Sequence, residues 1–164
     1  MLVVELLSNV DVGIIEHPAC MPRVLPRLVP QLGHESIEVR RASLRLLHAY
    51  MRQTSRLNQM ISFYIECGLR SPRKNEQKGC ILSLPLLFTQ EFVQAQEQLE
   101  EMIRTPKESL NLFPLLQCLS ELLVHADARL FYAIYLAIQR LHTLLGKSTS
   151  KFVNEQLFRS FLNV

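Results

Sequence analysis

Prolines lie inside stretches whose apolar residues recur at helical spacing, and this combination constrains the fold more than any other feature of the chain. Pro22 to Leu32 carries Val24, Leu25, Leu28, Val29 and Leu32 on one helical face. Pro26 and Pro30 each remove a backbone hydrogen bond there, so the helix must bend or be short. Gly33-His-Glu-Ser36 interrupts the stripe, and Ser36 is placed to cap a second helix. That helix, near Ile37 to Arg52, is expected to bury Val39, Ala42, Ser43, Leu46, Leu47 and Tyr50 and to leave Arg40, Arg41, Arg45 and Arg52 in water. Two helices joined by so short a break form an antiparallel hairpin.

The same unit recurs. Leu57, Met60, Ile61, Tyr64 and Ile65 form a stripe that Gly68 is expected to stop, and Ser71-Pro72 is expected to cap and open a helix running through Gly79, Leu82 and Leu86, kinked at Pro85. A third pair is expected from Phe92, Val93, Gln96, Leu99 and Ile103, then the capping box Thr105-Pro-Lys-Glu108 and the apolar helix of Leu112, Phe113, Leu116, Leu119, Leu122 and Leu123. Asp127 caps a long helix with Leu130, Phe131, Ile134, Ile138, Leu141 and Leu145 inward, closed by Gly146; Phe152, Val153, Leu157 and Phe161 mark a last short one. All five Gly read as helix punctuation. The opening Leu2 to Leu7 reads as the second half of an earlier hairpin, so residues 1–164 are expected to be one domain, a fragment lacking its N-terminal helix. A period of about 35–45 residues per helix pair belongs to all-α solenoids, in which each pair covers its neighbour's apolar face.

With 164 residues and an apolar fraction of 48%, the chain can build such a core without a disulfide or metal. Cys20, Cys67, Cys80 and Cys118 lie far apart with no paired His, which points to reduced, mostly buried cytosolic thiols and to no metal site. The first residues lack a basic signal-peptide region, and no apolar run reaches the ~20 residues of a membrane span. Net charge is only +3, but it is unevenly spread. Val39 to Lys78 holds nine basic and two acidic residues, a local +7, while Gln90 to Glu108 holds five Glu against Arg104 and Lys107, a local −3. The basic stretch reads either as the solvated faces of two helices or, at Arg70, Arg73 and Lys74, as contacts. His48, His125 and His142 have no ligand-like spacing and read as core or boundary histidines.

The segment Val24-Leu-Pro-Arg-Leu-Val-Pro-Gln-Leu32 followed by Glu38-Val-Arg-Arg-Ala-Ser-Leu-Arg-Leu-Leu47 resembles a HEAT repeat: Pro26, Val39-Arg40 and Ala42 occupy the motif's proline, valine-arginine and alanine places, and His34 stands near its usual turn Asp. Together with Gly68-Leu-Arg-Ser-Pro72 and Leu84-Pro-Leu-Leu-Phe-Thr89, the order is similar to a TOG domain of the axonemal TOG-array, or crescerin, type, most clearly over residues 22–92. The resemblance implies a paddle whose turns within each helix pair line one edge and meet tubulin. Here that edge would hold His34, Glu35 and Ser36 in one turn and Arg70, Ser71, Arg73 and Lys74 in the next. It further implies a cytoplasmic, cytoskeletal monomer of the cilium or axoneme that binds tubulin, microtubules or another ciliary protein. Typical tubulin-binding members carry a Trp in the first turn; this chain has none.

No catalytic constellation emerges: there is no G-x-S-x-G, no phosphate loop and no H-E-x-x-H, and Glu97, Glu100 and Glu101 sit beside Arg104 as ordinary surface pairing. Neither an enzyme nor a cofactor is expected. Three functions stay in play: a tubulin-binding module, a HEAT-type adaptor that docks another protein, and a nucleic-acid or acidic-lipid binder using residues 39–78. The last is disfavoured by the lack of aromatics among the basic turn residues.

Overall fold

The computed structural model of the chain describes residues 20–89, Phe92 and 111–145. Their regular structure is entirely helical, with no strand among the described residues. The prolines act as expected at the start. Helix α1 (Cys20–Leu28), with Pro26 inside it, gives way to a 3-10 segment (Val29–Gly33) that has Pro30 in its first turn. Helix α2 (Ile37–Gln53) follows, then α3 (Leu57–Tyr64), which relaxes into a π-helical turn (Ile65–Leu69). Helix α4 (Lys74–Leu87) accommodates Pro85 in its last turn, and α5 (Phe113–Val124) and α6 (Ala128–Leu145) complete the described elements.

The helices pack as two rows. In one, α1 lies against α3, and α3 with its π turn lies against α5; in the other, α2 lies against α4 and α4 against α6. Across the rows, the 3-10 segment packs on α2 and α4, the π turn on α4, and α5 on α6. One continuous core joins both rows, from Met21 and Leu25 to Ile138 and Leu141.

The second-row helices repeat their burial position by position. Counted from the capping residues Ser36, Arg73 and Asp127, the sixth residue is small in each: Ala42, Gly79 and Ala133. The seventh (Ser43, Cys80, Ile134), eleventh (Leu47, Leu84, Ile138) and fourteenth (Tyr50, Leu87, Leu141) are buried in all three. Small size at the sixth position has a steric reason. A Cβ on Gly79 would collide with the Leu32 carbonyl oxygen and stand 2.6 Å from the Gly33 Cα, and a Cβ on Gly33 would collide with Asn75 and Glu76 backbone atoms. Two glycines thus let α4 touch the 3-10 segment backbone to backbone.

Several expectations are corrected. The helical run ends at Leu69, one residue past Gly68, but Gly68 is also a contact: it is buried in the π turn, where a Cβ would lie 2.6 Å from Cys80 Sγ and 2.7 Å from Val29 Cγ1. Cys80 Sγ donates in turn to the Val29 carbonyl at 3.4 Å, and the Tyr64 hydroxyl donates to the Cys80 carbonyl. Ser71-Pro72 does not open α4, which begins at Lys74. Leu82, Leu86 and Phe113 are exposed, Val39 is half-buried, and Met51 joins the core. Helix α5 packs on α6, and the stretch expected to pair with α5, Val93 to Ile103, lies outside the described residues. The expected elements at Leu2 to Leu7, Val93 to Ile103, Thr105 to Glu108, Gly146 and Phe152 to Phe161, with the acidic stretch, lie outside the described residues.

Candidate functional site

The turn that enters α2 is built by its own side chains. Ser36 occupies the N-cap position, but its hydroxyl makes no capping bond. Instead its backbone N–H donates to His34 Nδ1 at 3.0 Å, an imidazole nitrogen accepting where a short carboxylate would close the same turn. Arg40 then reaches back and donates to the His34 carbonyl at 2.6 Å and the Glu35 carbonyl at 3.0 Å. This Arg, expected in water, is half-buried and consumed in holding the turn. His34 and Glu35 remain exposed; Ser36 is half-buried.

One period later α4 does the same job with other residues. Gln77, four residues from its capping position as Arg40 is from Ser36, donates to the Leu69 carbonyl at 2.8 Å. Ser71, expected on the binding edge, is only 8% exposed. Its hydroxyl donates to Glu76 Oε2 at 2.6 Å and accepts the Arg73 N–H at 3.3 Å, so it fixes the turn from inside. Arg70, Arg73 and Lys74 are exposed, but they are not equally free. Arg70 pairs with Glu66 at 2.9 Å and stands 3.7 Å from Glu121. Arg73, 81% exposed at the side chain, makes a looser contact of 3.5 Å with Glu76. Such exposed pairs contribute little and can exchange for a partner's carboxylate.

A third turn, His125-Ala126-Asp127, completes the edge and escaped the sequence reading of the site. Asp127 Oδ1 accepts the Leu130 N–H at 2.9 Å, capping α6. That bond first, with the Arg129 N–H and the nearby charges of Lys74 and Arg129, holds its carboxyl below the usual range. The charge of Lys74 thus reaches Asp127 across the two turns, and Gly33 lies against Asn75 at the start of α4. The expected residues lie in the turns that enter α2 (His34-Glu35-Ser36) and α4 (Arg70 to Lys74), and Asp127, which was not among them, enters α6. The cap at Asp127 was the available sequence signal for the third member.

Elsewhere the chemistry is quiet. Burial pushes the thiols of Cys20 and Cys67 up, Glu66 adding to the effect at Cys67. The Cys80 thiol is pushed up to about 12, by burial above all. Burial also raises Cys118, although Arg70 beside it pulls the other way. None of the four gains the thiolate character a nucleophile needs. Burial, with Arg52 nearby, lowers His48. A shallow groove of about 240 Å³ lies between the π turn and α5, with Glu66, Arg70 and Cys118 in its wall. Among the described residues no cluster of His, Cys, Asp and Glu could hold a metal, and no helix is long and apolar enough to cross a membrane. Comparison of the chain with protein-family models, curated proteins and solved structures finds no match.

Proposed function

We propose that the chain is a non-catalytic, HEAT-type solenoid module of the TOG kind, acting in a ciliary microtubule regulator by holding tubulin on its edge of turns. The observation that carries this reading is the succession of three turns along one edge, each pinned from within and presenting exposed polar side chains. The two-row packing and the recurrence of small and apolar positions in α2, α4 and α6 support the solenoid. Electrostatics supports an acidic partner. Three helix N-termini open onto the edge, each the positive end of a helix dipole, and Arg73 and Lys74 stand among them. Tubulin is acidic, so association is expected to be steered by charge and weakened by salt.

A second reading, an adaptor that docks a different protein through the same edge, is favoured by two observations. The chain has no Trp to serve as the large rigid anchor that dominates many interfaces. Arg70 is already engaged by Glu66 and Glu121. Size-exclusion chromatography with purified αβ-tubulin separates the readings. Tubulin binding predicts co-elution at low salt that is lost at high salt and in the double variant Arg73→Glu, Lys74→Glu; Arg70 is left intact because its reversal would set three carboxylates together. A folded chain that never co-elutes at any salt concentration leaves the adaptor reading.

A further inference from the structure

The outer side of α2, α4 and α6, which faces away from the other row, presents a second surface that the turn edge does not use. On α4 the residues at successive i+4 positions, Lys74, Lys78, Leu82 and Leu86, are all exposed and form a single ridge. On α6 the equivalent ridge is Tyr132, Leu136 and Arg140, also exposed. The two helices pack directly together and both start at the turn edge, where Lys74 neighbours Asp127. Counted from the capping residues Arg73 and Asp127, Leu82 and Leu136 hold the same ninth position, each about two turns in. Leu82 is 49% exposed, Leu86 57%, Tyr132 64% and Leu136 40%. Four large apolar side chains are thus exposed on two helices that pack directly together.

The border of this patch is cationic. Arg41 and Arg45 form the exposed ridge of the adjoining α2, Lys78 and Arg129 lie toward the turn edge, and Arg140 lies at the far end. None of these five is in an ion pair among the described residues. Helix α6 contains no acidic residue, and the one exposed carboxylate on the α2 and α4 faces is Glu38. Rimmed apolar patches of this kind mark interaction sites, and the rim decides the chemistry of the partner. A second copy would set like charges together. A neutral apolar segment would leave five cations without counter-charge.

We infer that the seam between α4 and α6 docks an acidic amphipathic helix of a partner protein, its apolar stripe on Leu82, Leu86, Tyr132 and Leu136 and its flanking carboxylates on the surrounding Arg and Lys. This is helix-in-groove recognition with charge on both flanks. It is independent of tubulin binding, because the residues tested are not on the turns.

The test uses fluorescence anisotropy with a labelled helical peptide of about 18 residues, some five turns, bearing Leu on one face and Glu on both flanks. A peptide of the same composition with the order scrambled is the comparison. The inference predicts binding of the patterned peptide only. Affinity should fall at least about tenfold in Leu82→Ser, Tyr132→Ser, and likewise in Lys78→Glu, Arg140→Glu, whose substitutions leave the apolar patch in place. Equal binding of both peptides, no binding, or binding indifferent to both double variants would overturn it. So would vesicles of phosphatidylserine and phosphatidylcholine being bound with this variant dependence while the peptide is not, which would make the face a membrane surface. A dimer in light scattering that the double variants dissolve would make it a self-association face.

Discussion

Gly79 shows how a single residue decides whether the helix pairs can close. In an α-helix interior Ala is favoured over Gly by about 1 kcal/mol, so Gly79→Ala would be stabilising on propensity alone. Its Cβ, however, would collide with the backbone of Leu32 and Gly33, which cannot rotate away as a flexible side chain could. Forced overpacking costs about 1–3 kcal/mol, and the loss falls on the junction of α4 with the 3-10 segment. The expected outcome of Gly79→Ala is therefore a net destabilisation of up to about 2 kcal/mol, visible as a lowered urea midpoint with unchanged slope. An unchanged or raised midpoint would mean the close approach does not constrain the fold. The glycines were legible in the sequence as interruptions but not as contacts. Punctuation is a local property of the chain, whereas a backbone touching another backbone 46 residues away depends on how the pairs stack.

At the scale of elements, apolar periodicity located the described helices well, because burial of a stripe is what stabilises each of them. It placed α2, α3 and α6 closely and anticipated the buried positions of α3, those of α2 apart from Met51, and Ile134, Ile138 and Leu141 of α6, but it missed Ala133 and Ala137, and Leu130 and Phe131 are only half-buried. It misjudged the entry to α4, because Ser71 turned inward to Glu76 and left Arg73 at the cap. Among the three turns, the cap of α6 carries the cleanest electrostatic signature. Asp127 is held below the usual carboxylate range mainly by the Leu130 N–H. A carboxylate so depressed stabilises the folded state above its unfolded pKa and loses that contribution as pH falls through the folded value. Asn caps nearly as well but carries no charge. Wild type is thus expected to melt above Asp127→Asn at neutral pH, with the gap closing as pH drops below about 4. Thermal melts of both proteins across that range check it; a gap independent of pH would assign the cap no charge contribution.

For the whole molecule, what matters is that two distinct surfaces arise from one packing pattern. On the proposed solenoid reading, stacked pairs bring the turns to one edge, while side chains on the outer sides of α2, α4 and α6 stay exposed. The sequence marked two of the three turns, since breaks between stripes are visible one at a time. It did not mark which cations would stay available. Arg40 is absorbed by the carbonyls of His34 and Glu35, and Arg70 by Glu66 and Glu121, through contacts that no linear charge count contains. Nor could it show that Leu82 and Leu86 face outward, as Tyr132 and Leu136 do, because an i+4 apolar ridge looks the same whether it turns to the core or to solvent.

Hydrogen exchange of the chain with and without αβ-tubulin tests the central claim most directly. Protection confined to peptides covering residues 34–36, 70–75 and 125–127, with the outer helical faces unchanged, is the predicted result. Protection elsewhere with those three turns exchanging freely would contradict it.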